Sequence, residues 1–156
     1  MLDTSVVIAL EQVEPTALPD ESMISAITMA ELAAGPHATD DHQERAIRQE
    51  RLQRIEATVD LVSFDAHAAR AYGRVYAATR AQHRKLRGAR AVDLLIAAIA
   101  LANDLPLYTR NAADFDQLAG IGLVVCAAGR AGRKRPVARR QPERGGACAV
   151  AKPRTH

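Results

Sequence analysis

Four acidic residues, widely separated along the chain, are placed where folding could bring their carboxylates together. Three lie at or near the ends of predicted strands or at a helix start, and one lies a turn into another helix; they are Asp3, Asp93, Asp114 and Glu31. Carboxylates that meet repel one another and take up protons unless a cation joins them. Mg²⁺ or Mn²⁺ suits such oxygens and can activate water against a phosphoryl group. The four residues therefore predict a metal site for phosphodiester hydrolysis.

Each acid also has an ordinary structural explanation. Asp3 could simply end a strand, Asp93 could be a helix N-cap, and Asp114 could be a turn residue. Glu31 follows Thr28 at the spacing of a capping box, in which it would bond back to the start of its own helix. The joint placement of the four residues, not any single one, favours the catalytic interpretation.

Hydroxyl and amide side chains accompany these acids. Thr4 and Ser5 directly follow Asp3, and Thr109 and Asn111 precede Asp114. Such groups could orient a carboxylate or a metal-bound water, although turn and strand-end bonding would also account for them. We take Ser5, Thr109 and Asn111 as the supporting residues of the predicted site.

The elements that must position these residues alternate between strand and helix. Predicted strands cover residues 1–2, 22–27, 59–64, 105–109 and 122–125. Predicted helices run from Thr28 to a stop at Gly35-Pro36, from about residue 40 to 57, from an Asp65 cap to Thr79, and from 92 to 103. The second helix should turn Ile47, Leu52 and Ile55 inward, and the third Ala68, Ala71, Tyr72, Val75, Tyr76 and Thr79. This order predicts a single α/β domain, a parallel sheet with helices on both faces.

The charge of the chain is unevenly distributed. Of 21 basic and 18 acidic residues, nine basic and one acidic lie in residues 127–156, which leaves residues 1–126 with a net charge of −5. We predict a folded domain over 1–126 and a basic, disordered tail over 127–156, where Arg, Pro, Gly and Ala dominate. No apolar run approaches the roughly 18 residues of a membrane span. Two cysteines give neither a disulfide framework nor a zinc site.

A basic segment stands directly before Asp93. It contains five cations and no acid between residues 80 and 90, namely Arg80, Arg84, Lys85, Arg87 and Arg90. Such a segment could bind the phosphate backbone of a nucleic acid beside the carboxylates. A solvated loop whose charges serve solubility explains the pattern equally well.

These residues resemble the motifs of the PIN-domain family. The first motif is Asp3-Thr4-Ser5-Val6-Val7-Ile8, and the second is Ala30-Glu31-Leu32 with Gly35. The third is Val92-Asp93-Leu94-Leu95-Ile96-Ala97-Ala98, and the fourth is Thr109-Arg110-Asn111-Ala112-Ala113-Asp114-Phe115. The order and spacing agree over about residues 1–126, and the length resembles that of VapC-type toxins of bacterial toxin–antitoxin pairs.

The resemblance implies a Mg²⁺-dependent endoribonuclease of the cytoplasm, with Mn²⁺ as a substitute. It implies an RNA substrate such as tRNA or rRNA, inhibition by a VapB-type antitoxin, and a homodimer. Asp3, Glu31 and Asp93 match the family's acidic cluster, and Asp3 and Asp93 are the expected metal ligands. The fourth acid varies in offset among relatives; Asn111 and Asp114 occupy the two offsets here, and we choose Asp114.

Two departures from the family and three rival functions remain. Only two residues precede Asp3, whereas relatives usually have a longer first strand, so either the chain begins late or its central strand is clipped. The basic tail extends past the usual end of the family. The short strand keeps open a catalytically degenerate PIN fold that only binds an antitoxin or RNA. An aspartyl-phosphate phosphatase would need an acid where Ser5 stands, and a receiver domain would need a Lys that residues 91–129 lack.

Overall fold

The computed structural model describes residues 1–81 and 89–129. Within these ranges five α-helices alternate with four short strands. The helices are α1 (Thr4–Ile8), α2 (Ala26–Ala34), α3 (His42–Thr58), α4 (Ala66–Ala81) and α5 (Ala89–Ala102). The strands are β1 (Met23–Ser25), β2 (Asp60–Val62), β3 (Leu107–Thr109) and β4 (Val125–Ala127). Two short 3₁₀ segments, Ala112–Asp114 and Asp116–Ile121, connect β3 to β4.

Leu2 joins the four strands into one parallel sheet. β1 pairs with β2 and β3 pairs with β4, both in parallel, while Leu2 forms parallel bridges to Ile24 on one side and Tyr108 on the other. The Leu2 N–H donates to the Met23 carbonyl (2.7 Å), and the Asp3 N–H donates to the Tyr108 carbonyl (2.9 Å). The order across the sheet is thus β2, β1, Leu2, β3, β4. The predicted first strand is present, reduced to a central bridge.

Helices cover both faces of this sheet, as the alternation predicts. Successive residues of a strand point to opposite faces of the sheet. Residues that are adjacent along a strand here pack into two different hydrophobic cores, one on each face. Met1 and Leu107 pack with the buried residues of α4 and α5, whereas Leu2 and Tyr108 pack with those of α1, α2 and α3. The α/β class with a parallel sheet between two helical layers is confirmed.

Two helix starts, those of α3 and α4, were predicted correctly and those of α2 and α5 were not. α5 begins at Ala89, three residues before the predicted start at residue 92. Asp65 accepts a hydrogen bond from the Ala68 N–H (2.9 Å), and α3 begins after Asp41, which accepts from the Glu44 N–H (2.8 Å). α2 does not begin at Thr28. Its N-cap is Ser25, whose hydroxyl accepts from the Thr28 N–H (2.9 Å), so the helix starts at Ala26, directly after β1.

Two apolar side chains lie on the surface against prediction. Ile47 of α3 is 45% exposed, and Tyr76 of α4 is 37% exposed, whereas Leu52, Ile55 and Val75 are buried. Ile47 and Ile8 line an open cavity between α1 and α3. Ile47 therefore lies at this cavity and not in the core.

The last two strands start later than predicted, for local reasons. After α5, Asp104 adopts φ 51° and the Leu105 N–H returns to the Ala100 carbonyl, so the chain is still ending a helix there. Gly122 has φ 96° and ends the 3₁₀ segment Asp116–Ile121, which delays β4 to Val125. Such left-handed backbone favours glycine.

Some sequence-based predictions concern residues that lie outside the described ranges. The tail predicted to be disordered lies outside the described residues from 130 onward, as do Arg84, Lys85 and Arg87. In the part of the chain that the structure describes, no helix is long and apolar enough to cross a membrane.

Candidate active site

The site lies at the point where the strand order reverses. From Leu2 the chain builds outward to β1 and β2 on one side and later to β3 and β4 on the other. In open parallel sheets, ligands bind beyond the carboxyl ends of the strands at such a reversal. Asp3 directly follows Leu2, and Thr109 ends β3, so both stand at this position.

Asp3 is buried and held by two hydroxyl groups. Its Oδ2 accepts hydrogen bonds from Ser5 Oγ (2.6 Å) and from Thr109 Oγ1 (2.8 Å). Only 4% of Asp3 is exposed, and its backbone carbonyl accepts the first bonds of α1 while its side chain makes no capping bond. The carboxylate is therefore oriented by Ser5 of α1 and by Thr109 at the end of β3.

Asn111 is linked to the residues of the site through its backbone N–H and carbonyl groups. Its N–H donates to Thr109 Oγ1 (3.1 Å), and its carbonyl accepts from the Asp114 N–H (2.9 Å). The Arg110 N–H donates to Ser5 Oγ (3.2 Å). The segment after β3 is thus tied to the hydroxyls that hold Asp3, whereas a role for the Asn111 side-chain amide stays a prediction.

The side chain of Glu31 accepts a hydrogen bond from α1 and not from its own helix. Thr4 Oγ1 donates to Glu31 Oε2 (2.5 Å). The capping-box alternative is wrong, because Ser25 caps α2 and Glu31 lies six residues further along. Thr4 was missing from our predicted site residues, although its position next to Asp3 in the first motif was a usable signal.

Asp93 shows the electrostatic effect of the other three acids. It lies one turn inside α5, so it is not the N-cap of that helix. Burial raises the pKa of Asp93, and the negative charges of Asp3, Glu31 and Asp114 raise it further, to about 6, while Arg90 opposes the shift. The charges of Asp3, Glu31 and Asp114 therefore all act on Asp93.

Asp114 is held by two side chains from different elements. Arg90 Nη1 lies 3.6 Å from Asp114 Oδ1, and Arg90 Nη2 donates to the Asp114 carbonyl (3.2 Å). Gln117 Nε2 donates to the same carbonyl (2.8 Å). Asp114 does end a short 3₁₀ turn, and its charge contributes to the raised pKa of Asp93.

The basic residues predicted to bind RNA are placed differently from one another. Arg80 is exposed near the end of α4. Arg90 is a partner of Asp114, with 25% of its side chain exposed. Binding of RNA by either residue stays a prediction.

The donor set fits a hard divalent cation. Within residues 1–81 and 89–129, no three His, Cys, Asp or Glu side chains converge as a complete metal cage. Mg²⁺ does not require one, since it is commonly held by one or two carboxylates together with water. The pKa of Asp93 is raised first by burial and then by the charges of the other three acids, and a cation bound there would oppose both effects.

Comparison with known proteins assigns the chain to a family. A family model for the PIN domain matches residues 1–121. The chain therefore belongs to the PIN-domain family.

Within that family the chain is similar to VapC-type proteins. It is 35% identical over 131 residues to ribonuclease VapC5 of Mycobacterium tuberculosis, which covers 80% of this chain and 90% of that protein. It is also similar to the crystal structure of VapBC-5 from M. tuberculosis, a member of the VapBC family of toxin–antitoxin systems. That match has a TM-score of 0.67 at 30% identity and covers 81% of this chain and 95% of the other.

A more distant structure shares the fold. VapBC2 from Rickettsia felis, bound to a DNA fragment from their promoter, matches with a TM-score of 0.62 at 23% identity. The match covers 80% of this chain and 95% of that chain.

Proposed function

We propose that this protein is a metal-dependent endoribonuclease and the toxin of a toxin–antitoxin pair. The observation that carries the proposal is the set of four acids at the strand reversal: burial, and then the charges of Asp3, Glu31 and Asp114, raise the pKa of Asp93 to about 6. Similarity to ribonuclease VapC5 supports RNA as the substrate class. A cytoplasmic location follows from tRNA or rRNA as the target.

The proposed metal is Mg²⁺, with Mn²⁺ as a substitute, held by Asp3 and Asp93. When bound, the ion supplies activation of water and neutralisation of charge on the phosphoryl oxygens. Asp3 suits the role of ligand because Ser5 and Thr109 both bond to Oδ2, which fixes the carboxylate before any ion arrives. Asp93 suits it because its ionised form is repelled by its neighbours and is stabilised by a cation.

Glu31 and Asp114 have the complementary roles in this proposal. The Thr4 hydroxyl occupies Oε2 of Glu31, which leaves Oε1 as the atom to orient the attacking water or to accept its proton. Asp114, with about half of its side chain exposed, lies at the open side of the site. Exposed Arg80 and the cations of residues 84–87 would attract the phosphate backbone through charge, so binding should weaken as salt rises.

The proposed protein partners come from the relatives. The similar structures are VapBC complexes, in which a VapC-type protein is described together with its VapB partner. We propose that a VapB-type antitoxin neutralises this chain and that the chain forms a homodimer.

Cleavage of a mixed tRNA and rRNA pool tests the proposed activity. The purified chain should give discrete fragments with Mg²⁺ or Mn²⁺, and Asp93→Asn should lose cleavage by a factor of 100 or more, an order-of-magnitude expectation for removing a metal ligand. The matched control is Asp104→Asn, the same change in an exposed residue after the other end of α5, before β3. Its left-handed backbone (φ 51°) accepts Asn readily, so this variant should cleave like the wild type.

Two results would contradict the proposed activity. Equal cleavage by wild type and Asp93→Asn would show that the nuclease activity arises outside this site. RNA that is bound but left intact by a folded wild-type chain would favour the degenerate, binding-only PIN fold.

A further inference from the structure

Arg90 connects the helix that carries Asp93 to the turn that carries Asp114. It lies three residues before Asp93 in α5, on a neighbouring position of the same helix face. Its guanidinium reaches Asp114 twice, with Nη1 3.6 Å from Oδ1 and Nη2 bonded to the backbone carbonyl at 3.2 Å. Arg90 therefore holds the position of Asp114 relative to Asp93.

The charge of Arg90 is permanent and partly desolvated. A guanidinium does not release its proton in proteins. One quarter of the side chain is exposed, and the buried Nε finds no acceptor among the described residues. A buried charge requires a partner of opposite sign, and for Arg90 that partner is Asp114.

Arg90 is also distinctive among the cations that the structure describes. The other ion pairs within the described ranges join Arg48 to Glu44 and Arg54 to Glu11 and Glu50, and none of them includes a site carboxylate. Arg90 alone among the described residues forms an ion pair with a member of the site. Within residues 1–81 and 89–129 it is thus the cation that is ion-paired to the group of four acids.

We propose that Arg90 is a positioning residue that acts as an internal counter-ion: it holds Asp114 while the site is free of metal and competes with a divalent cation for that carboxylate. The inference rests on the proposed metal dependence. It changes the role that the sequence suggested for Arg90, from binding RNA to controlling how tightly the site binds its metal.

The sign of the expected effect follows from charge. A divalent cation among the carboxylates is repelled by the nearby guanidinium, and Asp114 must loosen from Arg90 to turn toward the ion. Removing the charge therefore strengthens metal binding. A residue with a merely structural role would act in the opposite direction, because its loss would loosen the site and weaken the metal.

Direct titration of Mn²⁺ by calorimetry tests this inference without RNA. Arg90→Gln should lower the Kd for Mn²⁺ by about 3- to 10-fold, because one screened like charge has been removed. Arg90→Lys keeps the charge and loses the forked donor, so its Kd should stay within about 2-fold of wild type. In an Asp114→Asn background, the effect of Arg90→Gln should shrink, since the shared partner is already neutral.

Arg74→Gln is the matched control. Arg74 Nη2 also donates to a backbone carbonyl, that of Ile121 (2.9 Å), and forms no ion pair with a site carboxylate in the described structure. It should leave the Kd for Mn²⁺ unchanged. A second measurement needs no variant: the ¹⁵Nε resonance of Arg90 should shift when Mg²⁺ is added to the wild type.

Several outcomes would overturn the inference. An equal or higher Kd in Arg90→Gln, or an Arg90 resonance that does not respond to Mg²⁺, contradicts the counter-ion role and leaves the nuclease proposal standing. Absence of Mn²⁺ binding in every variant contradicts the metal dependence itself, and the inference with it.

Discussion

Among the four acids of the site, Asp93 is the one whose pKa is shifted by the other three. Burial and the charges of Asp3, Glu31 and Asp114 raise its pKa from 3.8 to about 6. In the unfolded chain the carboxyl returns to its ordinary pKa, so folding makes its ionisation more difficult. At neutral pH the metal-free protein therefore carries a destabilising charge at this position.

This charge predicts that Asp93→Asn makes the metal-free protein more stable at pH 7. A carboxyl with a raised pKa costs nothing below about pH 4, and its cost grows as the pH rises through about 6. Discounted for solvent screening of a half-buried group, the gain should be about 1–2 kcal/mol in the free energy of unfolding. Urea unfolding in EDTA at pH 7 and at pH 4 measures it.

The pH dependence distinguishes this effect from a general change in packing. The advantage of Asp93→Asn over the wild type should become small at pH 4, because Asp93 is then protonated in the folded protein and only about half ionised in the unfolded chain. A variant that is less stable than the wild type at pH 7 in EDTA would show that the carboxylates do not repel one another as described.

At the scale of elements, α2 connects the sheet to Glu31. Its N-cap Ser25 is fully buried, and its hydroxyl accepts from the Thr28 N–H and donates to Thr28 Oγ1 (3.0 Å). The start of α2, and with it the position of Glu31, is therefore fixed at the carboxyl end of β1. Loss of this cap should therefore displace Glu31.

Ser25→Ala should lower both stability and RNA cleavage. Loss of an N-cap costs about 1 kcal/mol, and here a buried Thr28 also loses a partner. The control is Asp41→Ala, which removes the exposed N-cap of α3 and should cost a similar amount while leaving cleavage at saturating metal unchanged. Chemical unfolding and initial cleavage rates measure the two effects; equal losses of activity would contradict the link from α2 to Glu31.

The sequence predicted the elements well where the signals were local. Asp65 before its helix, Gly35-Pro36 after α2, and the alternation of strands and helices all appear as expected. Ser25 and Thr28 show the limit of such signals, because two hydroxyl residues three positions apart are both acceptable caps. The choice between them depends on where β1 ends, which is a tertiary property.

The acids of the candidate site could be predicted from the sequence, whereas the residues that bond to them could be predicted less well. Asp3, Glu31, Asp93 and Asp114 follow from strand ends and from the motifs of the resemblance. The bond from Thr4 to Glu31 spans 27 residues, and that from Arg90 to Asp114 spans 24, so no local pattern indicates either contact. Charge alone suggested that Arg90 binds RNA, whereas packing places it against a carboxylate.

At the scale of the whole molecule, a single residue connects the two halves of the sheet. Leu2 bridges β1 and β3, is 2% exposed, and packs in the core formed with α1, α2 and α3. Asp3 follows it directly. The integrity of the centre and the position of the site therefore depend on the same short segment.

Leu2→Ala should destabilise the protein strongly. Deleting a buried leucine side chain costs about 2–5 kcal/mol, through lost burial and the cavity left behind. Leu2→Met keeps the volume and should cost less than about 1.5 kcal/mol. Thermal unfolding of the two variants measures the difference; similar losses in both would show that the backbone bridges, and not the side chain, hold the centre together.

The central claim is that the four carboxylates form a metal-dependent nuclease site, and metal removal followed by restoration tests it most directly. The wild-type chain is treated with EDTA, dialysed, and given increasing Mg²⁺ or Mn²⁺ in the presence of the mixed tRNA and rRNA pool. We expect no cleavage in EDTA and discrete fragments that return with either metal in a saturable manner. Equal cleavage with and without metal, or intact RNA at every metal concentration from a chain shown to be folded, would contradict the claim.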